Sequence, residues 1–336
     1  MNAVAPHGGV YLANYLEPLA PYLERSDITD LFINCPCIIW VETLGGKIES
    51  HSVPELTTAR LDRLARQIAA VSHQGINREN PLLSAVLPDG ARVQIVAPPA
   101  TRGALAIAIR KHVSIALSLD DYASSGAFDP LTTRRAETTA CLSALLEQGD
   151  YASLLRAAVQ QRCNILVSGG TSTGKTTFLN ALIREIPAAE RLILIEDTPE
   201  LIVRQENDVG LVAARSALGE SLVSMEDLLN AALRMRPDRI ILGELRGPEA
   251  FTFLRAVNTG HPGSMTTVHA DSPERAIEQI ALLVLQSGTR LDRNSILHYV
   301  RSTIDVFVQL ARDGGQRQVS AIALRRQEAN MSGDVV

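Results

Sequence analysis

Aromatic side chains make up only 4% of the 336 residues, with a single Trp. A chain so poor in rings has little material for a groove that stacks nucleic-acid bases. Neither sign of charge dominates: 37 acidic against 32 basic residues leave a net charge of −5. No overall basic field draws the chain to DNA or anionic lipid. Four cysteines, Cys35, Cys37, Cys141 and Cys163, are too few and scattered for a disulfide framework and lack the paired C-x-x-C spacing of a structural zinc site. A reducing cytoplasm is the simplest home. No run of about eighteen apolar residues offers a bilayer-spanning helix, and no Lys or Arg precedes a continuous apolar core in the first 24 residues, so a secretory signal is not expected. What remains, 46% hydrophobic and 21% charged residues, describes a globular chain of about two domains.

The first stretch reads as mixed structure. Leu12, Tyr15, Leu16, Leu19, Tyr22 and Leu23 fall at helical spacing over 11–23, interrupted by Pro18 and Pro21, which predicts an irregular amphipathic helix. Strands follow at 30–34, 38–43 and 47–53, with Gly45-Gly46 as a hairpin signal, then a helix over 56–71. Strands 82–87 and 91–96 flank the turn Pro88-Asp89-Gly90, and 105–111 closes the block. Strands clustered with one or two helices predict an α+β amino-terminal domain over 1–113, followed by a linker over 114–150 with some helix and breaks at Ser124-Ser125-Gly126 and Asp129-Pro130.

From Tyr151 the pattern alternates. Helices 151–162, 175–186, 225–235, 248–257 and 273–287 interleave with strands 164–168, 192–196, 239–243 and 264–269. That alternation predicts a parallel α/β sheet, an α/β domain spanning 151–336. Its last predicted helix opens with Ser272 as N-cap, Pro273 at the first helical position and Glu274 in the first turn.

The chemistry concentrates here. Gly169-Gly170-Thr171-Ser172-Thr173-Gly174-Lys175-Thr176 is a complete G-x-x-x-x-G-K-T phosphate loop, preceded by the apolar strand Ile165-Leu166-Val167 and continued through Thr177 into a helix. Glycines let backbone N–H groups approach phosphates, the helix N-terminus adds positive potential, Lys175 reaches the terminal phosphates and the Thr176 hydroxyl ligates Mg²⁺. The nucleotide expected is ATP. A second strand, Arg239-Ile-Ile-Leu, leads through Gly243, where many nucleotidases carry aspartate, to Glu244, which must then serve the metal. Glu196-Asp197 ends Leu192-Ile-Leu-Ile195 in the same way. Strand-end acids of a parallel sheet point into the ligand crevice, giving one candidate for Mg²⁺ and one for the attacking water. His269 ends a further strand, where an imidazole can sense a γ-phosphate; His261 lies in the Gly/Pro loop before it.

These residues resemble a family, the secretion ATPases of type II, type IV pilus and type IV secretion systems. LILIEDTPEL, RPDRIILGELRG and GHPGSMTTVHA are similar to its acid box, second nucleotide motif and histidine box, and TDLFINCPCIIWVE, NPLLSAVLPDGARVQIVAPP and LAIAIRK resemble the amino-terminal domain of the VirB and conjugative-transfer group. The resemblance runs from about Asp27 to about Leu324. It implies a PAS-like amino-terminal domain, a RecA-like ATPase domain, a homohexamer, and peripheral docking on inner-membrane components of a type IV secretion system at the cytoplasmic face. The cargo implied is protein or a protein–DNA complex, without stable sequence-specific nucleic-acid binding. Carried over residue by residue, it implies that Lys175 and Thr176 bind phosphate and Mg²⁺, that Glu196 positions the lytic water, that Glu244 acts on the metal through water, and that His269 monitors the γ-phosphate. Arg92 and Arg110 match arginines that reach nucleotide from the amino-terminal domain. Two departures stand out: Cys35-Pro36-Cys37 replaces an expected Pro-Gly turn, and Gly247 stands where pilus and type II relatives have aspartate.

The nearest rivals are a pilus-retraction ATPase, which would carry an Ala-Ile-Arg-Asn-type box after the histidine box, and a type II export ATPase, which usually carries a four-cysteine zinc insertion. Neither feature is present. A RecA-like nucleic-acid translocase shares the phosphate loop but has little support in the acidic, ring-poor composition.

Overall fold

Strict alternation decides the amino-terminal sheet. In the computed structural model, which describes residues 8–113, 118–124, 134–214 and 219–325, β1 (Ile28–Cys35) turns Leu31 and Ile33 to one face and Asp30, Phe32 and Asn34 to the other. It is joined by β2 (Ile38–Thr43), β3 (Ile48–Ser52), β4 (Leu82–Val86), β5 (Arg92–Val96) and β6 (Ala106–Arg110). The order is β3-β2-β1-β6-β5-β4, antiparallel throughout. The first face is apolar on the inner strands, while edge strand β3 adds Glu49 and His51 opposite Val41 and Ile39. Ile39, Val41, Ile107, Ile109, Val93, Ile95 and Leu83 pack there against Leu61, Leu64 and Ile68 of α3 (Thr58–Val71). Thr57 caps that helix, its hydroxyl accepting the Arg60 N–H at 3.3 Å.

The prolines break the first helix as expected. It runs as α1 (Gly8–Leu16), a 3-10 turn (Glu17–Leu19) and α2 (Ala20–Leu23), and Leu12 and Leu19 are buried in the same core. At Cys35-Pro36-Cys37 the chain turns with Cys37 at φ 65, and the β1–β2 register shifts by one residue between Phe32 and Cys35. The unusual turn thus comes with an irregular hairpin.

Segments from later in the chain cover the polar face. One compact unit gathers the described residues within Met1–Asp129, Ala188–Glu200 and Arg204–Ile240; the other takes those within Pro130–Pro187, Leu201–Val203 and Ile241–Val336. In the first unit β8 (Leu192–Glu196) pairs in parallel with β9 (Asp208–Val212), and α8 (Met225–Ala232) follows with a full capping box between Ser224 and Asp227. Arg191 is fully buried. Its guanidinium stacks 4.0 Å from the Phe32 ring and donates to Asn34 Oδ1 at 2.9 Å and to the Met235 carbonyl at 3.1 Å. Burial lowers its pKa to about 9. Arg236 pairs with Glu42 and Asp238, and Arg234 reaches Ser84 at 2.7 Å. The polar half of the β1–β6 alternation is therefore an internal hydrogen-bonded surface.

Helices α4 (Leu119–Ser124) and α5 (Arg134–Glu147) lie in the stretch expected to be a linker; of the expected break Ser124-Ser125-Gly126, Ser124 ends α4, and the rest, with Asp129-Pro130, falls outside the described residues. The second unit continues with α6 (Tyr151–Gln160), β7 (Ile165–Gly169) and α7 (Lys175–Ile183). Strand β10 (Arg239–Leu242), α9 (Glu249–Asn258), β11 (Met265–Val268), α10 (Pro273–Gln286), α11 (Arg293–Thr303), β12 (Val306–Asp313) and β13 (Gln316–Leu324) complete the chain. Strand β7 lies between β11 and β12 in parallel, and is buried along its whole length, as a near-continuous apolar run requires.

Two expectations need correction. The helix over 273–287 is not the last, since α11 follows it and β12 and β13 follow that; and the sheet is not purely parallel, because β13 returns antiparallel to β12 around Gly314 and Gly315, both at positive φ. Strand β9 also went unpredicted: its five residues with a central glycine show little alternation. Among the described residues no helix is long and apolar enough to cross a membrane.

Candidate functional site

Strand β7 delivers the chain into the phosphate loop at Gly169. A Cβ there would run into the Thr173 hydroxyl and lie 3.1 Å from the Leu310 carbonyl, so only glycine fits. Thr173 Oγ1 braces the loop by donating to the Gly170 carbonyl at 2.9 Å. Ser172 (φ 62) and Gly174 (φ 90) both take left-handed backbone, and Gly174 starts α7 without a side-chain cap. The first-turn donors of α7, through Lys175, Thr176 and Thr177, are thus left to an anion rather than to the protein. Thr171 and Thr177 are exposed and Thr176 is half-buried.

Lys175 curls over this loop. Its Nζ donates to the Gly169 carbonyl at 3.1 Å, lies 3.1 Å from His269 Nδ1 and 3.6 Å from Glu244 Oε1. Burial lowers its pKa and the Glu244 carboxylate opposes that shift. An ammonium can only donate, so Nδ1 of His269 is the acceptor, and its Nε2 lies 3.0 Å from Glu244 Oε1. His261 precedes β11, at the end of that strand opposite His269, and does not join Lys175; its carbonyl accepts from Ser264.

The β11 register sets Glu244. Thr267 donates to the Gly243 carbonyl at 2.8 Å and accepts the Leu245 N–H on its own carbonyl at 2.9 Å. Beyond it, Glu249 accepts the N–H groups of Arg246 and Gly247 at 2.7 and 2.8 Å. A Cβ on Gly247 would stand 2.9 Å from Glu249 Oε2, which explains the glycine in local terms. Arg246 claims Glu244 Oε2 through two nitrogens at 2.7 and 2.6 Å. The other oxygen, Oε1, is buried and faces His269 Nε2 and the Lys175 ammonium. Among the described residues no group of three or more His, Cys, Asp or Glu forms a metal cage. Mg²⁺ at a nucleotide needs only one or two protein oxygens beside phosphate and water; Thr176, the residue after Lys175, and Glu244, beside Lys175, are the residues that would supply them.

Glu196 belongs to the other unit. Its side chain ends β8 at 3% exposure, and Oε1 accepts the Glu200 N–H at 2.8 Å. Oε2 is paired with Arg102. Neither the pattern nor the motifs singled out Arg102, which sits in a short non-repetitive turn before β6. Arg246 was equally unmarked inside its motif. Arg92 and Arg110 stand directly opposite each other on β5 and β6, both exposed, with Arg110 4.0 Å from Asp30. Like charges opposed across strands repel, so this pair invites an anion.

Comparison with known proteins places the chain. Residues 14–325 match the family described as Type II/IV secretion system protein. The type IV secretion system protein VirB11 of Bartonella henselae is 40% identical over 324 residues, 91% of each chain. The type IV secretion system protein PtlH of Bordetella pertussis is 38% identical over 333 residues, 94% of this chain and 95% of its own. The crystal structure of the VirB11 ATPase from the Brucella suis type IV secretion system, in complex with sulphate, superposes with a TM-score of 0.87 at 38% identity, covering 94% of this chain and 95% of that one. The chain belongs to the type II/IV secretion system protein family, as a type IV secretion ATPase. Its fold is of the α/β, RecA-like class with an α+β amino-terminal domain.

Proposed function

We propose that the chain hydrolyses ATP with Mg²⁺ as a homohexamer held peripherally at the cytoplasmic face of the inner membrane. There it drives export of protein or protein–DNA cargo, or pilus assembly, by a type IV secretion machine. The observation that carries the chemistry is the cluster of Lys175, His269 and the Glu244 carboxylate at a helix N-terminus without a side-chain cap. The amino-terminal domain is read as 1–113, the linker as 114–150 and the ATPase domain as 151–336.

In this reading the backbone donors of Gly169 to Thr177 and the Lys175 ammonium bind the phosphates. Thr176 and Glu244 hold Mg²⁺, which when bound neutralises charge on the phosphate oxygens. Glu196 orients the lytic water and takes its proton. His269, already within reach of Lys175 and Glu244, reports the terminal phosphate to the sheet. Arg92 and Arg110 add fixed positive charge that a nucleotide relieves.

The test is steady-state phosphate release from ATP by the purified chain, with Mg²⁺ or with chelator, and with or without single-stranded DNA. Mg²⁺-dependent release unaffected by DNA is expected. Release that needs DNA would favour a nucleic-acid translocase, and no release under any condition would end the reading.

A further inference from the structure

Glu196 is held by an arginine that the motifs of the chain leave unmarked. The backbone at 100–102 lies along the outer edge of β9: the Val212 N–H donates to the Ala100 carbonyl at 2.9 Å, Thr101 bridges Leu211, and the Arg102 N–H donates to the Gly210 carbonyl at 2.8 Å. From that edge the Arg102 side chain crosses the face of β9 and pairs with Glu196 on β8. The crossing point is Gly210. A Cβ there would lie 2.9 Å from Arg102 Cγ and 2.8 Å from Nε, and closer still to Cδ. The glycine is therefore the gap through which the arginine reaches the acid.

Both carboxylate oxygens are then engaged, one by the Glu200 amide and the other by the guanidinium. The contact is an ion pair between opposite charges at close range. It is also partly shielded, with the arginine side chain 25% exposed and the acid 3%. Burial lowers the Arg102 pKa from its ordinary value, and the charge of Asp208 opposes that shift.

We propose that Arg102 is a positioning residue that latches the Glu196 carboxylate, keeping it from orienting and deprotonating water until the guanidinium leaves. This rests on the reading of Glu196 as the water-positioning acid. A general base needs a lone pair directed at the water, and the latch directs one of the two oxygens at a cation instead. Release of the arginine turns the same carboxylate into a base without moving β8. Slow basal hydrolysis is a consequence.

The test uses the full chain. ATP turnover and KM are measured for the parent, Arg102→Ala, Arg102→Lys, Gly210→Ala and Glu196→Gln, and for Arg102→Ala and Gly210→Ala each combined with Glu196→Gln. Gly210→Ala leaves every charge in place and displaces only a flexible side chain. Arg102→Ala and Gly210→Ala are expected to raise kcat several-fold at unchanged KM, with Arg102→Lys between them and the parent, and both double variants are expected to be inactive. A purely structural arginine would lower the thermal midpoint and kcat together. If Arg102→Ala does not fold, Gly210→Ala alone decides. If Glu196→Gln is inactive but neither single variant is faster than the parent, the latch is wrong and the role of Glu196 stands. If Glu196→Gln keeps full turnover, the reading of Glu196 fails, and the latch with it.

Discussion

Two strands of similar apolar composition, Leu192–Glu196 and Arg239–Leu242, each run into a glutamate, and the two glutamates meet different cations. Glu196 has one oxygen on an amide and the other on a guanidinium. Glu244 has one oxygen on Arg246, while its second is buried and faces the Lys175 ammonium and the His269 ring. A strand-end acid read from sequence thus says where a carboxylate stands, not whether its lone pairs are available. Availability is set by cations that arrive from elsewhere. For Glu244 the arginine comes two residues later; for Glu196 it comes from Arg102, on the far edge of a strand that pattern reading missed.

The comparison can be broken most forcefully at the phosphate loop. Lys175→Ala removes the ammonium that faces both His269 and Glu244, and turnover is expected to fall at least about a thousandfold, since transition-state charge loses its main organic counterion. Phosphate release at saturating ATP is the measurement; equal rates in mutant and parent would remove the loop from the chemistry. Glu244→Gln keeps the shape and discards the charge that faces Lys175 and His269. A metal role predicts a fall of roughly ten- to a hundredfold that excess Mg²⁺ partly restores. A fall that Mg²⁺ does not touch would exchange its role with that of Glu196.

Sequence reading reached the elements and motifs of this fold more surely than their internal contacts. Period-two alternation in β1, β2, β5 and β6 marks the apolar face that packs on α3, and the G-x-x-x-x-G-K-T run marks the loop between β7 and α7. Alternation could not say that the opposite face of the same sheet would be internal. Asp30, Glu42 and Gln94 look like solvent-facing polar positions, yet all are buried; residues such as Arg191 and Arg236, far along the chain, cover and pair that face. The hairpin β12–β13 was legible from Gly314-Gly315 and its flanking apolar runs but was not drawn. Arg102 was not legible at all, because an arginine in a loop carries no periodicity and its partner lies 94 positions away.

Smaller effects sharpen the picture. Arg92→Ala and Arg110→Ala each remove one of two opposed exposed cations. About a three- to tenfold loss of turnover is expected for each, with fold and oligomeric state unchanged, if both arginines reach a nucleotide phosphate. Relief of repulsion without any kinetic change would leave them as surface charges. Arg246→Ala should cost least, about twofold or less, because its pair with Glu244 is 61% exposed on the arginine side and exposed ion pairs contribute little. Turnover of this variant titrated against Mg²⁺ measures how far the arginine competes with the metal for the carboxylate.

The most direct measurement is paired nucleotide binding and turnover on Glu196→Gln. The amide keeps the shape of the side chain and can still meet the Glu200 N–H, but it cannot take a proton from water. ATP affinity within about twofold of the parent, with hydrolysis reduced by roughly a hundredfold or more, is the expected result. Unchanged hydrolysis would contradict it and transfer the base to Glu244.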